Sequence, residues 1–256
     1  MSTMFKDLND KNIIVTGGLG FLASQFTEAL LESRCNVILI DIKNIKKRNT
    51  SKNLFYFKCD ITKDKQVALL STKIKKKFKN IDVLINNAAN NPKPSSKNKS
   101  FETFDVNEWD NDLNISLKGS FLCTKYFGKI MKIQKNGGNI INISSDLGVI
   151  APDQRIYKKI GYKKPVTYSV VKHGIIGLTK YTATYWPKKV RCNAISPGGM
   201  VNGQSKLFLN EVKKLIPLGR LAKKNEFNSL ILFLASNASS YITGSNIIID
   251  GGRTSW

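Results

Sequence analysis

Short runs of consecutive apolar residues alternate along this chain with longer stretches in which apolar residues recur every three or four positions. The runs are Asn12–Thr16, Val37–Ile40, Leu54–Lys58, Ile81–Ile85, Asn139–Ile143, Val190–Ile195 and Asn246–Asp250. They are short and rich in Ile and Val, the pattern of strands covered on both faces. Helical spacing marks Phe21–Ser33, Asp64–Phe78, Glu108–Met131, Tyr168–Tyr185 and Asn225–Leu234. Within Asp64–Phe78, Val67, Leu70, Ile74 and Phe78 share one face and the lysines lie opposite, as on a helix with a solvated side. The polar stretch Asn90–Ser100, with its two prolines, reads as loop. Strand–helix alternation without an internal repeat or linker predicts one α/β domain over residues 1–256. Its expected form is a Rossmann-type, doubly wound, mostly parallel seven-stranded sheet with helices on both faces.

The first unit is more specific. The run ending at Thr16 leads into Gly17-Gly-Leu-Gly20, an apolar-faced helix follows, and the second run closes at Asp41. Strand, glycine turn, helix, strand and acid form a dinucleotide-binding βαβ unit. The glycines let backbone approach a pyrophosphate, whose charge the helix N-terminus stabilises. Asp41 can bind the adenosine ribose hydroxyls and would repel a 2′-phosphate, so NAD(H) is the preferred cofactor. Lys43, Lys46, Lys47 and Arg48 follow closely and leave NADP(H) open.

A second constellation lies between Gly138 and Gly199. Tyr168 and Lys172 are four apart, so on a helix they share a face. An ammonium beside a phenol eases its ionisation below the usual pKa of about 10. Such a tyrosine can exchange a proton with an alcohol or carbonyl oxygen, and Ser145 at the end of the preceding strand could hold that oxygen. Pro165 and Thr167 suit a helix start just before Tyr168. A second copy of the spacing, Tyr185 to Lys189, contains Pro187 and reads as chance. Taken alone, the motif favours an ordinary tyrosine on a packed helix; the rest of the chain reverses that in favour of chemistry.

Composition narrows the remaining possibilities. No run approaches the length of a membrane span, and the first residues lack the apolar core of a signal peptide. Cys35, Cys59, Cys123 and Cys192 are scattered, and His173 is the sole histidine. That pattern suits reduced thiols in a cytoplasm rather than disulfides or a metal site. The net charge is +23. Its lysines are spread over the chain without a nucleic-acid module, so they read as solvated faces rather than a specific nucleic-acid site.

With these residues in view, the chain resembles the short-chain dehydrogenase/reductase family along nearly its whole length. The matching landmarks are Thr16-Gly17-x-x-Gly20, Asp60, Asn86-Asn87-Ala88, Ser145, Tyr168-x-x-x-Lys172, Pro197-Gly198 and Asp250-Gly-Gly. The resemblance implies that Tyr168 is the proton donor or acceptor and that Ser145 polarises the substrate oxygen. It implies that Lys172 contacts the nicotinamide ribose and lowers the tyrosine pKa. Cofactor contact is implied for Thr16, Gly17, Gly20, Phe21, Leu22, Asp41, Asn87, Ala88, Ala89, Pro197, Gly198 and Met200, with Asp60 and Ile61 bordering the adenine. Family members are usually homodimers or homotetramers.

Three departures stand out. The first turn is Gly17-x-x-Gly20-x-x-Ala23, closer to the longer sugar-nucleotide-modifying branch. The family's relay asparagine falls at Ser116, and Asn114 is two residues too early. The segment Val149–Thr167 is an insertion between Ser145 and Tyr168, with both ends at the site. Loops so anchored carry specificity. Within it Arg155 suits a carboxylate or phosphate and Gln154, with Asp153, suits sugar hydroxyls, while Lys158, Lys159, Lys163 and Lys164 add diffuse attraction.

The stretches from Ser145 to Arg155, from Pro165 to Gly174 and from Asp250 to Trp256 look like a subgroup associated with flagellin modification and legionaminic-acid-type surface glycans. The leading expectation is an NAD(H)-dependent alcohol/ketone oxidoreductase on a small, sugar-derived molecule. One alternative is a sugar-nucleotide epimerase or dehydratase, which would need a larger substrate domain after Gly198. Another is a nucleotide- or RNA-binding protein on the same fold, against which the Ser145–Tyr168–Lys172 set argues.

Overall fold

A computed structural model describes residues 3–44, 51–90, 100–161 and 163–256. Lys46, Lys47, Arg48, Tyr162 and most of the Asn90–Ser100 loop lie outside these. Seven strands, β1 (Asn12–Thr16), β2 (Asn36–Asp41), β3 (Leu54–Lys58), β4 (Val83–Asn86), β5 (Gly138–Ile143), β6 (Val190–Pro197) and β7 (Asn246–Ile249), form one sheet in the order β3-β2-β1-β4-β5-β6-β7. Every pairing is parallel, so the expected mostly parallel sheet is wholly so among the described strands.

Successive strand residues face opposite sides, which explains the continuous apolar runs. Ile13 and Val15 pack with Phe26 and Leu30 of α1 (Phe21–Glu32) and with Ile231 and Leu234 of α7 (Asn228–Ala235). Ile14, between them, points into the other layer. There it joins Val67 and Ile74 of α2 (Asp64–Phe78) and Leu122 and Phe127 of α4 (Gly119–Met131). The four cysteines are buried in these layers. Burial pushes the thiols of Cys35 and Cys192 up to about 12 and that of Cys59 to about 11.

Three elements differ from the periodicity. The stretch Glu108–Met131 is not one regular helix. α3 (Val106–Asp112) passes through a π-helical segment, Leu113–Lys118, before α4 begins. At the start of α4, Gly119 lies close against Ile61, whose side chain a β-carbon there would meet at 2.6 Å. Second, α6 (Lys206–Val212) was not signalled by the pattern. Third, the inserted segment is built rather than diffuse. It carries a 3-10 stretch, Gln154–Ile160, and its buried Ile156 and Tyr157 pack against Phe208, Val212, Ile216 and Leu221.

The sheet order reverses between β1 and β4, which lie side by side at the switch point. In open α/β sheets ligands bind at the carboxyl ends of the strands at such a point. Gly17, Asp41, Asp60, Asn87, Ser145 and Gly198 all lie at or just beyond those ends.

Candidate active site

At the switch point the chain is arranged for close approach. Gly17 has φ +62°, and a β-carbon there would lie 2.8 Å from the Ala88 backbone. Thr16 Oγ1 accepts from the backbone amides of Asn87 and Ala88, both at 3.1 Å, and Asn87 Nδ2 donates to the Thr16 carbonyl at 3.0 Å. These bonds tie the two crevice walls together. α1 starts at Phe21, and its N-cap Gly20 makes no side-chain capping bond. The amides of this first turn are thus suited to an anion such as a pyrophosphate. The Asp41 carboxylate accepts from the amides of Leu19 and Lys43, each at 3.0 Å, which fixes it over the glycine turn. These residues fit a dinucleotide with unmodified ribose hydroxyls.

Other expected cofactor residues frame the same edge. Phe21 is half exposed, Leu22 packs on the core and Ala89 is exposed. Asp60 accepts from Thr62 and borders an open cleft with Ile42, Asn111 and Asn114, while the side chain of Ile61 is buried against Gly119. Pro197 ends β6, and Gly198 is pressed against Asp250, where a β-carbon would meet backbone at 2.7 Å. Met200 is buried with its sulfur 3.1 Å from Gln25 Nε2.

The residues expected to carry the chemistry lie beside it. Pro165 caps α5 (Val166–Tyr185), which places Tyr168 in its first turn and Lys172 one turn on. Close packing carries Ser145 to this helix. Ser144 Oγ donates to the Lys172 carbonyl at 2.8 Å, and only a glycine fits at position 148, where a β-carbon would lie 2.5 Å from that hydroxyl. The buried Lys172 Nζ donates to the Ile143 carbonyl at 2.8 Å. The π-helical segment presents the buried Ser116 to the cleft lined by Tyr168 and Lys172, while Asn114 borders the cofactor-end cleft instead. The chance Tyr185 to Lys189 copy is split as expected, for α5 ends at Tyr185.

Several expectations require correction. The Tyr168 phenol does not sit below its ordinary value here. Burial pushes that phenol above its ordinary value, and its hydrogen bond with Ser145 acts in the opposite direction without reversing the shift. Burial also pushes Lys172 down to about 8, with Lys164 adding to the effect. Arg155 is not in the cleft. Its guanidinium is exposed and grips Asp153, with Nη2 to Oδ2 at 2.8 Å. Gln154 does not face Tyr168 as a free amide. It clasps the Lys164 backbone, accepting from the amide at 3.2 Å and donating to the carbonyl at 3.3 Å. Lys164, expected to add only diffuse attraction, has Nζ 3.6 Å from the Tyr168 ring centroid.

Sequence reasoning also missed two buried carboxylates. Asp146 accepts from Ser145 Oγ at 2.7 Å and from Arg253 Nη1 at 2.8 Å. Asp112 accepts from Thr167 Oγ1 and Asn90 Nδ2, both at 2.6 Å. An acid directly after Ser145 was the one available signal, but its arginine lies 107 positions away.

A wholly parallel, switch-point sheet with serine, tyrosine and lysine beside its glycine turn defines a nucleotide-dependent oxidoreductase. Residues 21–254 match the family described as enoyl-(acyl carrier protein) reductase. The chain is 35% identical over 262 residues to the NAD-dependent glycerol dehydrogenase of Listeria innocua serovar 6a, covering 97% of this chain and 96% of that one. A short-chain dehydrogenase from Leptospira borgpetersenii, solved with bound NAD+, superposes with a TM-score of 0.88 at 32% identity over 99% of this chain and 97% of that one. The ligand-free aldohexose dehydrogenase of Thermoplasma acidophilum gives 0.84 at 27% identity over 98% and 97%. This chain belongs to the short-chain dehydrogenase/reductase family.

Proposed function

We propose that this chain is an NAD(H)-dependent oxidoreductase that interconverts an alcohol and a ketone on a sugar or sugar derivative. The observation that carries the reading is the meeting of Ser145, Tyr168 and Lys172 beside a glycine turn overlooked by Asp41. NAD+, held by the Gly17–Gly20 turn and Asp41, supplies the two-electron acceptor when bound. Tyr168 takes the hydroxyl proton of the alcohol as the carbonyl forms, and returns it in reduction. Ser145 holds the reacting oxygen against Tyr168. The Lys172 ammonium, fixed on the Ile143 carbonyl, stabilises negative charge on the phenol oxygen as the proton leaves. Ser116 takes the place of a relay asparagine at the rear of the cleft.

The glycerol and aldohexose dehydrogenases among its relatives support a polyhydroxylated substrate. A role in legionaminic-acid-type surface glycans, in the cytoplasm and as a homodimer or homotetramer, rests on the wording of the Ser145–Arg155 and Asp250–Trp256 stretches and on family habit. The test is a screen of polyols, sugars and sugar derivatives for NADH formation, repeated with Tyr168→Phe. Turnover should fall about 10²–10⁴-fold in the variant, the usual contribution of acid–base catalysis, with NADH affinity retained. Turnover within a few-fold of the parent refutes the assignment of Tyr168.

A further inference from the structure

The hydroxyl of Ser145 has one proton and two lone pairs, and the structure engages all three. The proton goes to Asp146 Oδ1 at 2.7 Å. One lone pair accepts from the Leu147 amide at 3.2 Å, capping the short 3-10 turn Asp146–Gly148. The other meets the phenol of Tyr168, which is hydrogen-bonded to Ser145. Since the carboxylate holds the serine proton, the phenol is the donor of that pair.

A group from the far end of the chain holds this arrangement. Asp250 accepts from the amides of Gly252 at 2.8 Å and Thr254 at 2.7 Å, and Gly252 has φ +89°. This closing turn sends Arg253 inward, where its Nη1 donates to Asp146 Oδ2 at 2.8 Å. A carboxylate facing a guanidinium offers only acceptors. Oδ1 therefore stays available to the serine proton and to the Leu147 amide, the latter at 2.8 Å. A substrate oxygen must enter between Tyr168 and Ser145. An alcohol hydroxyl can accept from the phenol and donate to the serine, which leaves every group bonded. A ketone oxygen can only accept. It either sets its lone pairs against those of Ser145 or makes the serine break its charge-assisted bond to Asp146.

We infer that Asp146, backed by Arg253, is a positioning residue that turns the Ser145 proton away from Tyr168 and makes the site bind the alcohol form of its substrate in preference to the ketone. This rests on the dehydrogenase reading above and adds which side of the reaction the resting site is shaped for. A purely structural ion pair would change stability and leave that discrimination alone.

Non-reacting complexes of the full chain test it, with glycerol bound beside NADH and dihydroxyacetone beside NAD+, so that each Kd is read without turnover. Asp146→Leu/Arg253→Met removes the acceptor without leaving a charge unpaired. It should lower the ratio of ketone Kd to alcohol Kd at least about tenfold, the effect of one hydrogen bond gained where an acceptor faced an acceptor. Asp146→Asn/Arg253→Met keeps a neutral acceptor for the serine proton and should lower the ratio less. A ratio that both variants leave unmoved overturns the inference. Neutron diffraction from deuterated crystals of the parent needs neither variant nor probe, and it decides the matter if the leucine variant does not fold or neither probe binds. The Ser145 deuterium should lie on the line to Asp146 Oδ1 and that of Tyr168 should point at Ser145; a Ser145 deuterium directed at Tyr168 overturns the inference. The expected proton positions and ratio, in a parent that turns over no member of the polyol screen, leave the positioning role intact and refute the dehydrogenase reading. Turnover of polyols with an unmoved ratio refutes the inference alone.

Discussion

Replacing Arg253 by methionine removes the guanidinium that faces Asp146 across 2.8 Å, where the two side chains are 7% and 4% exposed. Asp146 keeps Ser145 Oγ and the Leu147 amide on Oδ1, at 2.7 and 2.8 Å, but its Oδ2 loses the cation. A buried charge left without its partner costs about 3–5 kcal/mol. At about 2 °C per kcal/mol for a chain of this size, Tm should fall by roughly 6–10 °C. Removing the second charge as well, in Asp146→Asn/Arg253→Met, should recover more than half of the loss. The native pair is itself incompletely bonded, since Arg253 Nη2 is buried and finds no partner among the described residues. Two neutral side chains avoid that penalty. Urea unfolding of the parent and both variants, compared by midpoint at unchanged m-value, measures the effect. A loss below about 1 kcal/mol in Arg253→Met, or a double variant less stable than the single one, refutes the reasoning.

Asp41→Ser should shift the NADP(H)-to-NAD(H) ratio of kcat/KM upward by at least about tenfold, equivalent to ~1.4 kcal/mol; an unmoved ratio removes Asp41 from cofactor selection. Lys172→Met should change the pH dependence of stability. The folded-state value of Lys172 is depressed to about 8 from 10.5, so its contribution is fully present above pH 10.5 and lost as pH falls through 8. The variant should therefore gain Tm relative to the parent at pH 7 and lose that gain towards pH 10.5, while turnover drops; an equal Tm difference at both pH values contradicts this.

The strands were legible because each of the five interior ones is covered on both faces, leaving runs such as Asn12–Thr16 with no polar interruption. The glycine turn, Asp41 and the Tyr168–Lys172 spacing were legible because local geometry alone brings their parts together. What escaped notice depends on contacts between distant segments. Lys164 looked like any other lysine of a basic loop; only the docking of Tyr157 on α6 and the clasp from Gln154 place it at the tyrosine. Arg155 looked the better anion ligand by chemistry, yet Asp153 two positions earlier captures it. The lowered phenol pKa was inferred from proximity along one helix. Burial outweighs that proximity, and the Lys172 ammonium is directed at the Ile143 carbonyl.

The π-helical segment Leu113–Lys118 sets the angular phase between two halves of what would otherwise be one helix. Such a turn accommodates one residue more than an α-turn, and one residue corresponds to about 100° of rotation. A single-residue deletion within it would close the segment as an ordinary α-turn and leave both flanks in phase, with α4 seated on the sheet through Leu122 and Phe127 and Asp112 still on Thr167 and Asn90. What it would change is the stretch between them, which carries Ser116 to the cleft beside Tyr168. The segment thus lets one wall of the cleft be altered while the scaffold on either side stays in place.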